Sequence, residues 1–203
     1  MKKINVLLFI LIAIFILLSI CIINDWTVNL DNSIYEGIMK FKSSDLTNFL
    51  KAITKLGNYK VSVIISVISI IFLKKLGLII VVTSVYTKIS NSLIKFIIKR
   101  KRPGVLRLVK VKSYSYPSFH AMISMAIYGV LVYLIWNNVR NKKLKIIISS
   151  ILIVIIFLIG FSRIYLGAHY FSDVLAGYIL SAIYLIVLDK LINKYKRNEK
   201  INE

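Results

Sequence analysis

Ser162-Arg163-Ile164-Tyr165-Leu166-Gly167-Ala168-His169-Tyr170-Phe171-Ser172-Asp173 lies between two apolar runs, and there an otherwise greasy chain gathers Arg, His and Asp. His169 and Asp173 are four residues apart, so a helix would set both on one face. A carboxylate in that position accepts a hydrogen bond from one imidazole nitrogen. It fixes the tautomer and leaves the other nitrogen free as nucleophile or base. Arg163 adds a planar fork of donors suited to phosphate oxygens. An Asp entering an apolar span is costly without a partner, and His169 is the natural one.

The flanking runs set the fold class. The 203 residues are 58% hydrophobic, with a mean hydropathy of +0.79. That is too apolar for a soluble domain of this size and typical of an all-α polytopic membrane protein. Lys and Arg number 28 against eight Asp and Glu, a formal net charge of +20. Such an excess suits nucleic acid, anionic lipid or an anionic substrate. Nucleic acid fits poorly, because the basic residues sit in short segments between apolar runs and form no continuous soluble face. The single cysteine, Cys21, leaves no internal disulfide and no cysteine-rich metal site. The two histidines, His120 and His169, both fall in polar stretches.

Residues 4–23 follow Met1-Lys2-Lys3 and read as a first transmembrane helix. The run is long for a signal peptide and no small-x-small site follows it; the bulky Ile20 before Cys21 argues against a lipoprotein signal. Residues 24–59 differ. Asp31 is expected to cap a short helix presenting Ile34, Ile38 and Phe41. Ser44 is expected to cap a second, presenting Leu46, Phe49, Leu50, Ile53 and Leu56, with Gly57 as its stop. Both read as amphipathic helices in the membrane interface, covering helix ends or guiding a lipid. Further spans are expected at 61–73, 76–98, 117–136, 146–161 and 174–188, the first of these starting near Asn58 and barely long enough. The whole reads as one domain. Residues 1–60 hold the first span and the interfacial helices, 61–190 a core of spans two to six, and 191–203 a polar tail expected to fray.

Six crossings carry the polar stretches at 95–103, 117–120 and 162–173 to one membrane face. Lys and Arg divide evenly between the two sides, so the positive-inside count is a tie. Assigning the charge of 95–112 to phosphate binding breaks it. The short connections at Lys74-Lys75 and 140–145 then place both termini in the cytoplasm and the site outside. Lys99, Arg100 and Lys101 read as a solvated or headgroup-facing run. Lys88, inside the third span, reads as a structural or snorkelling cation.

Taken in order, the three stretches spell K-x6-R-P (Lys95, Arg102, Pro103), P-S-x-H (Pro117, Ser118, His120) and S-R-x5-H-x3-D. This resembles the type 2 phosphatidic acid phosphatase (PAP2) family of lipid phosphatases, which shares its site with vanadium haloperoxidases and bacterial acid phosphatases. The match covers roughly the last two-thirds of the chain. Phe119 stands where that family most often has Gly; it keeps the backbone N–H but loses conformational freedom. The resemblance implies a PAP2-like helical core in which His169 attacks phosphorus and Asp173 orients it. His120 protonates the leaving group and then activates water. Lys95, Arg102, Ser118, the Phe119 N–H and Arg163 hold the phosphate, with no metal and no cofactor. The implied partner is a phosphorylated lipid of a bacterial cell membrane, undecaprenyl diphosphate leading and phosphatidylglycerol phosphate the alternative. The reading from another class is a non-catalytic anion or lipid transporter, which would have no need of the His169–Asp173 pair.

Overall fold

The computed structural model describes residues 2–202. Among them the regular elements are helices: α1 (Lys2–Ile23), α2 (Val28–Met39), α3 (Ser44–Ile53), α4 (Tyr59–Leu73), α5 (Gly77–Ile98), α6 (Phe119–Asn138), α7 (Lys142–Tyr165) and α8 (Phe171–Asn202), with 3-10 turns at Thr54–Gly57 and Lys74–Leu76. Met1 and Glu203, the two ends of the sequence, lie outside the described residues. α8 runs through the polar tail to Asn202. Its Lys, Arg and Glu residues are good helix formers, and Asn193 donates to Asp189 one turn back at 3.0 Å. Lys190 donates to Asn5 of α1 at 2.5 Å, tying the two helices together.

Five helical stretches are long and apolar enough to cross a membrane: Lys3–Ile23, Tyr59–Ile98, Phe119–Asn138, Lys142–Tyr165 and Phe171–Tyr195. The second is a hairpin. The chain reverses at Lys74–Leu76, and α4 and α5 pack antiparallel, with Ser84 Oγ donating to Ser62 Oγ at 3.0 Å. Ser62, Ser66 and Ser69 form a buried stripe on α4, each hydroxyl bonded to a carbonyl of its own helix at 2.7, 2.7 and 2.8 Å. Small residues of this kind let two backbones approach closely without exposing a polar group. With 15 residues, α4 is about 22 Å long, short of the ~30 Å hydrocarbon thickness.

The centre of the bundle is α6, which packs on α5, α7 and α8. Ile123, Ile127, Val130 and Leu134 meet Ile80 of α5 and Ile156 and Ile159 of α7 there. Tyr128 reaches out of this core to donate to the Leu56 carbonyl at 2.9 Å, so the turn before α4 is pinned to α6.

The segment between α1 and α4 covers the ends of α7 and α8. Leu50 of α3 is buried against Tyr165 and Leu166. Two expected caps move. Ser43, not Ser44, caps α3, because Ser43 is extended (φ −142°, ψ 164°) and its hydroxyl accepts from Leu46 N–H at 3.2 Å. Asp31 does not cap its own helix; it lies in the first turn of α2 and points inward. Gly57 ends α3's extension by closeness rather than by a left-handed turn. A Cβ there would lie 2.6 Å from Ile159 Cγ2 and 3.3 Å from the His120 carbonyl. Ile159 is fully buried, so its methyl has nowhere to go. Gly57→Ala is expected to destabilise by about 1–3 kcal/mol through overpacking, read as a lower unfolding temperature in detergent.

Candidate active site

The first cation comes from the last turn of α5. Lys95 is buried there and donates to the Tyr114 carbonyl and, at 3.4 Å, to that of Ser115. One turn earlier, Asn91 donates to the Pro117 carbonyl at 3.0 Å. The same helix end therefore holds the returning end of the 99–118 loop. Lys99 closes α5 in the left-handed conformation (φ 50°) with its N–H on the Lys95 carbonyl. That turn sends Arg100 inward while Lys99 and Lys101 stay exposed.

Arg100 is therefore not part of a solvated run. It is buried, donating to Asp31 Oδ2 at 2.9 Å and to Asp173 Oδ1 at 2.6 Å. It also reaches Thr27 Oγ1 at 3.0 Å and Ser172 Oγ at 2.8 Å. Burial works against its charge, but the two carboxylates outweigh it and hold the guanidinium above its ordinary pKa. Asp31 completes the lock by accepting the Ser172 N–H at 2.8 Å and its hydroxyl at 2.6 Å. Desolvating three charges is favourable only with bonding this complete.

His169 and Asp173 do not share a helix. Gly167 turns the chain after α7 with φ 65°, and a Cβ there would meet the Leu106 carbonyl at 2.6 Å. His169 sits in the turn and α8 begins at Phe171. Asp173 reaches back from the third helical position to accept the Tyr170 N–H at 3.0 Å, half of a capping box. The expected direct bond is absent too: Nδ1 of His169 lies 3.6 Å from Asp173 Oδ2, ion-pair range but too long for a hydrogen bond. Ser115 bridges them. Its hydroxyl lies 3.4 Å from Nδ1 and donates to Asp173 Oδ2. With that hydrogen spent, the oxygen can only accept from Nδ1–H, so the Nε2 lone pair is the free one.

Nε2 faces the cations. Arg102 NH1 is 3.2 Å away, and the guanidinium is fixed by the Ser113 and Ala168 carbonyls. Burial, partly offset by Asp173 and reinforced by Arg107, lowers Arg102 to about 10, still cationic at neutral pH. Burial first, and then the charges of Arg102, Arg163 and Lys95, hold His169 well below the ordinary imidazole range. Its neutral form therefore persists on the acid side of the usual ~6.5. The chain has two histidines, so His120→Gln isolates this one. The remaining imidazole is expected to be neutral at pH 6.5 in ¹⁵N NMR; an imidazolium spectrum at that pH would contradict the assignment.

The other half of the site comes from α6 and α7. Ser118 precedes α6 in an extended conformation, and its Oγ does not cap the helix. Its N–H is used by the Asp173 carbonyl at 3.0 Å. The first-turn N–H groups of Phe119 and His120 have no earlier helical carbonyl to bond. Arg163, in the last turn of α7, is buried and donates through NH1 to Thr54 Oγ1 at 2.9 Å. Two buried side-chain polar atoms among the described residues have no partner, Ser118 Oγ and Arg163 Nε. Native interiors rarely leave such atoms unpaired.

One cavity of about 260 Å³ is lined by Lys95, Arg102, Phe119, His120, Arg163 and His169, together with Lys88. The structure thus brings the three sequence motifs to one place. Asp173 stands behind His169 rather than in the cavity, and Ser118 lies at the foot of α6. Sequence reasoning missed Ser115, Arg100, Asp31 and Thr54. Asp31 alone left a trace, as one of only eight acidic residues. Among the described residues no three His, Cys, Asp or Glu side chains cluster to hold a metal.

Residues 72–197 match the model of the PAP2 superfamily. The chain is 28% identical over 192 residues to phosphatidylglycerophosphatase B of Bacillus subtilis, covering 90% of this chain and 93% of that protein. It is 26% identical over 184 residues to an undecaprenyl-diphosphatase of Sulfolobus acidocaldarius, covering 85% of each. Its fold matches the crystal structure of the PAP2-type phosphatidylglycerolphosphate phosphatase of Bacillus subtilis with a TM-score of 0.81 at 29% identity, over 93% and 96% of the two chains. A looser match, TM-score 0.66 at 23% identity, is to Aquifex aeolicus LpxE over 78% and 93%. The chain belongs to the PAP2 superfamily. By class it is a multi-pass membrane phosphatase, a hydrolase of phosphoric esters.

Proposed function

We propose that the protein removes the terminal phosphoryl group of a lipid pyrophosphate, undecaprenyl diphosphate, giving undecaprenyl phosphate and inorganic phosphate. The observation that carries this is the pair of unbonded buried donors, Ser118 Oγ and Arg163 Nε, beside a cavity lined by Lys95, Arg102 and both histidines. Donors of that number and charge match a phosphoryl group developing charge in flight.

His169 Nε2 attacks phosphorus as the bond to the lipid oxygen breaks, and His120 gives that oxygen its proton. The imidazolium formed at His169 keeps its proton on Nδ1, facing Ser115 and through it Asp173. His120 then takes a proton from water, the hydroxide displaces His169, and phosphate leaves. Lys95, Arg102 and Arg163 neutralise the equatorial oxygens. His120→Ala is expected to lower kcat by about 10²–10⁴ with little change in KM, as for a lost acid–base group, measured by phosphate release in micelles.

Phosphatidylglycerol phosphate is the second reading, supported by the likeness to the Bacillus subtilis proteins. Phosphate release from the two purified lipids, compared by kcat/KM, decides between them. Release from neither would leave the transporter reading.

The proposed setting is a bacterial cell membrane crossed six times, with α4 and α5 as separate crossings, α2 and α3 in the interface, both termini cytoplasmic and the site outside. The basic connections at Lys74-Lys75 and 140–145 support that orientation. With Cys21 replaced by Ser, Lys112→Cys is expected to react with an impermeant maleimide in intact cells and Lys143→Cys only after lysis. The reverse pattern overturns the orientation.

A further inference from the structure

Lys88 lies on α5 seven residues before Lys95, two turns away and about 10 Å along the axis. It is a wall of the same cavity, and its side chain is exposed. Its ammonium group stands 5.3 Å from the ring centroid of Tyr59 and 5.4 Å from that of Phe119. No carboxylate pairs with it among the described residues. A cation this far into an apolar helix is costly, and two aromatic faces only partly compensate it. They do hold it in place, so it is an aimed charge rather than a snorkelling one. Nor is it needed for the scissile phosphoryl group, which has Lys95, Arg102 and Arg163.

The direction of α5 says what Lys88 would meet. From Lys95 toward Lys88 the helix runs away from the 99–118 loop and into the apolar zone. A lipid bound with its terminal phosphoryl group at His169 must lead its chain that way. Whatever joins chain to terminal phosphate passes the ammonium group. Phe119 makes the link structural: its N–H belongs to the phosphate cradle, and its ring is one of the two faces holding Lys88.

Resting on the phosphatase reading above, we propose that Lys88, held between Tyr59 and Phe119, is a subsite for a second, anionic phosphoryl group, the one that stays on the lipid after cleavage. The substrate class is then lipids with two phosphoryl groups in series between chain and terminus, either as an anhydride or separated by a short polyol. Lipid monophosphates lack the group that Lys88 binds.

The test uses the full chain in micelles and two pairs of lipids with matched tails: geranylgeranyl diphosphate against geranylgeranyl phosphate, and phosphatidylglycerol phosphate against phosphatidic acid. The readout is the ratio of kcat/KM within each pair, which cancels differences in active fraction. In Lys88→Met the ratio is expected to fall about tenfold in at least one pair, mainly through KM, as for loss of one charge pair to a bound anion. In Lys88→Glu it falls further, and in Lys88→Arg it is kept. A ratio unchanged in Lys88→Met, or no lower in Lys88→Glu than in Lys88→Met, overturns the subsite and leaves the phosphatase reading intact. Failure of the native chain to release phosphate from all four lipids overturns the phosphatase reading instead.

Discussion

With His169 as the proposed nucleophile, His169→Ala is expected to lose phosphate release by about 10⁴-fold or more, because the other imidazole lining the cavity, His120, serves in proton transfer. The loss falls on kcat and leaves lipid binding in place, since Arg102, Arg163 and Lys95 are untouched. Denatured native protein, quenched during turnover of a terminally ³²P-labelled lipid, is expected to carry label that is stable to alkali and released by acid, the behaviour of a phosphoramidate. His169→Ala carries none. Label retained in that variant, or turnover near the native rate, would move the nucleophile elsewhere.

Arg100→Met is the second large effect. It strands Asp31 and Asp173, both fully buried and bonded to the same guanidinium, and losing one partner of such a cluster costs about 3–5 kcal/mol. Asp173 keeps Ser115 and the Tyr170 N–H, whereas Asp31 keeps only Ser172. Adding Asp31→Asn is therefore expected to recover part of the lost stability without recovering activity, because Asp173 still lacks its guanidinium partner. Thermal unfolding of the single and double variants measures the coupling. Additive losses would mean that Arg100 and Asp31 act independently.

The three motifs were legible because polar residues are scarce and costly in a chain this apolar. Two histidines, an Asp and spaced cations stand out against Ile and Leu. What surrounds them was not. Arg100 sits among Lys99, Lys101 and Arg102, and nothing in four consecutive cations says which one is buried; the left-handed turn at Lys99 decides it. Its partner Asp31 is 69 residues away and has the local context of a helix cap. Ser115 carried no signal, since serine is common and its role depends on a loop returning past α8. The His169–Asp173 spacing suggested a shared helix face. The turn at Gly167 instead leaves His169 outside α8, 3.6 Å from the carboxylate and bridged to it by the Ser115 hydroxyl. Hydropathy located the apolar stretches well, and the Lys74-Lys75 break marked where 59–98 reverses direction.

The buried lock of Asp31, Arg100 and Asp173 also constrains how the protein is made. Its three members come from the beginning, the middle and the end of the polypeptide. A nascent chain can pair the first two early, while the carboxylate behind His169 emerges only when α8 is synthesised. Competence is therefore expected to arrive late, and a product truncated before residue 173 to be membrane-integrated yet inert, its Arg100 paired with Asp31 alone.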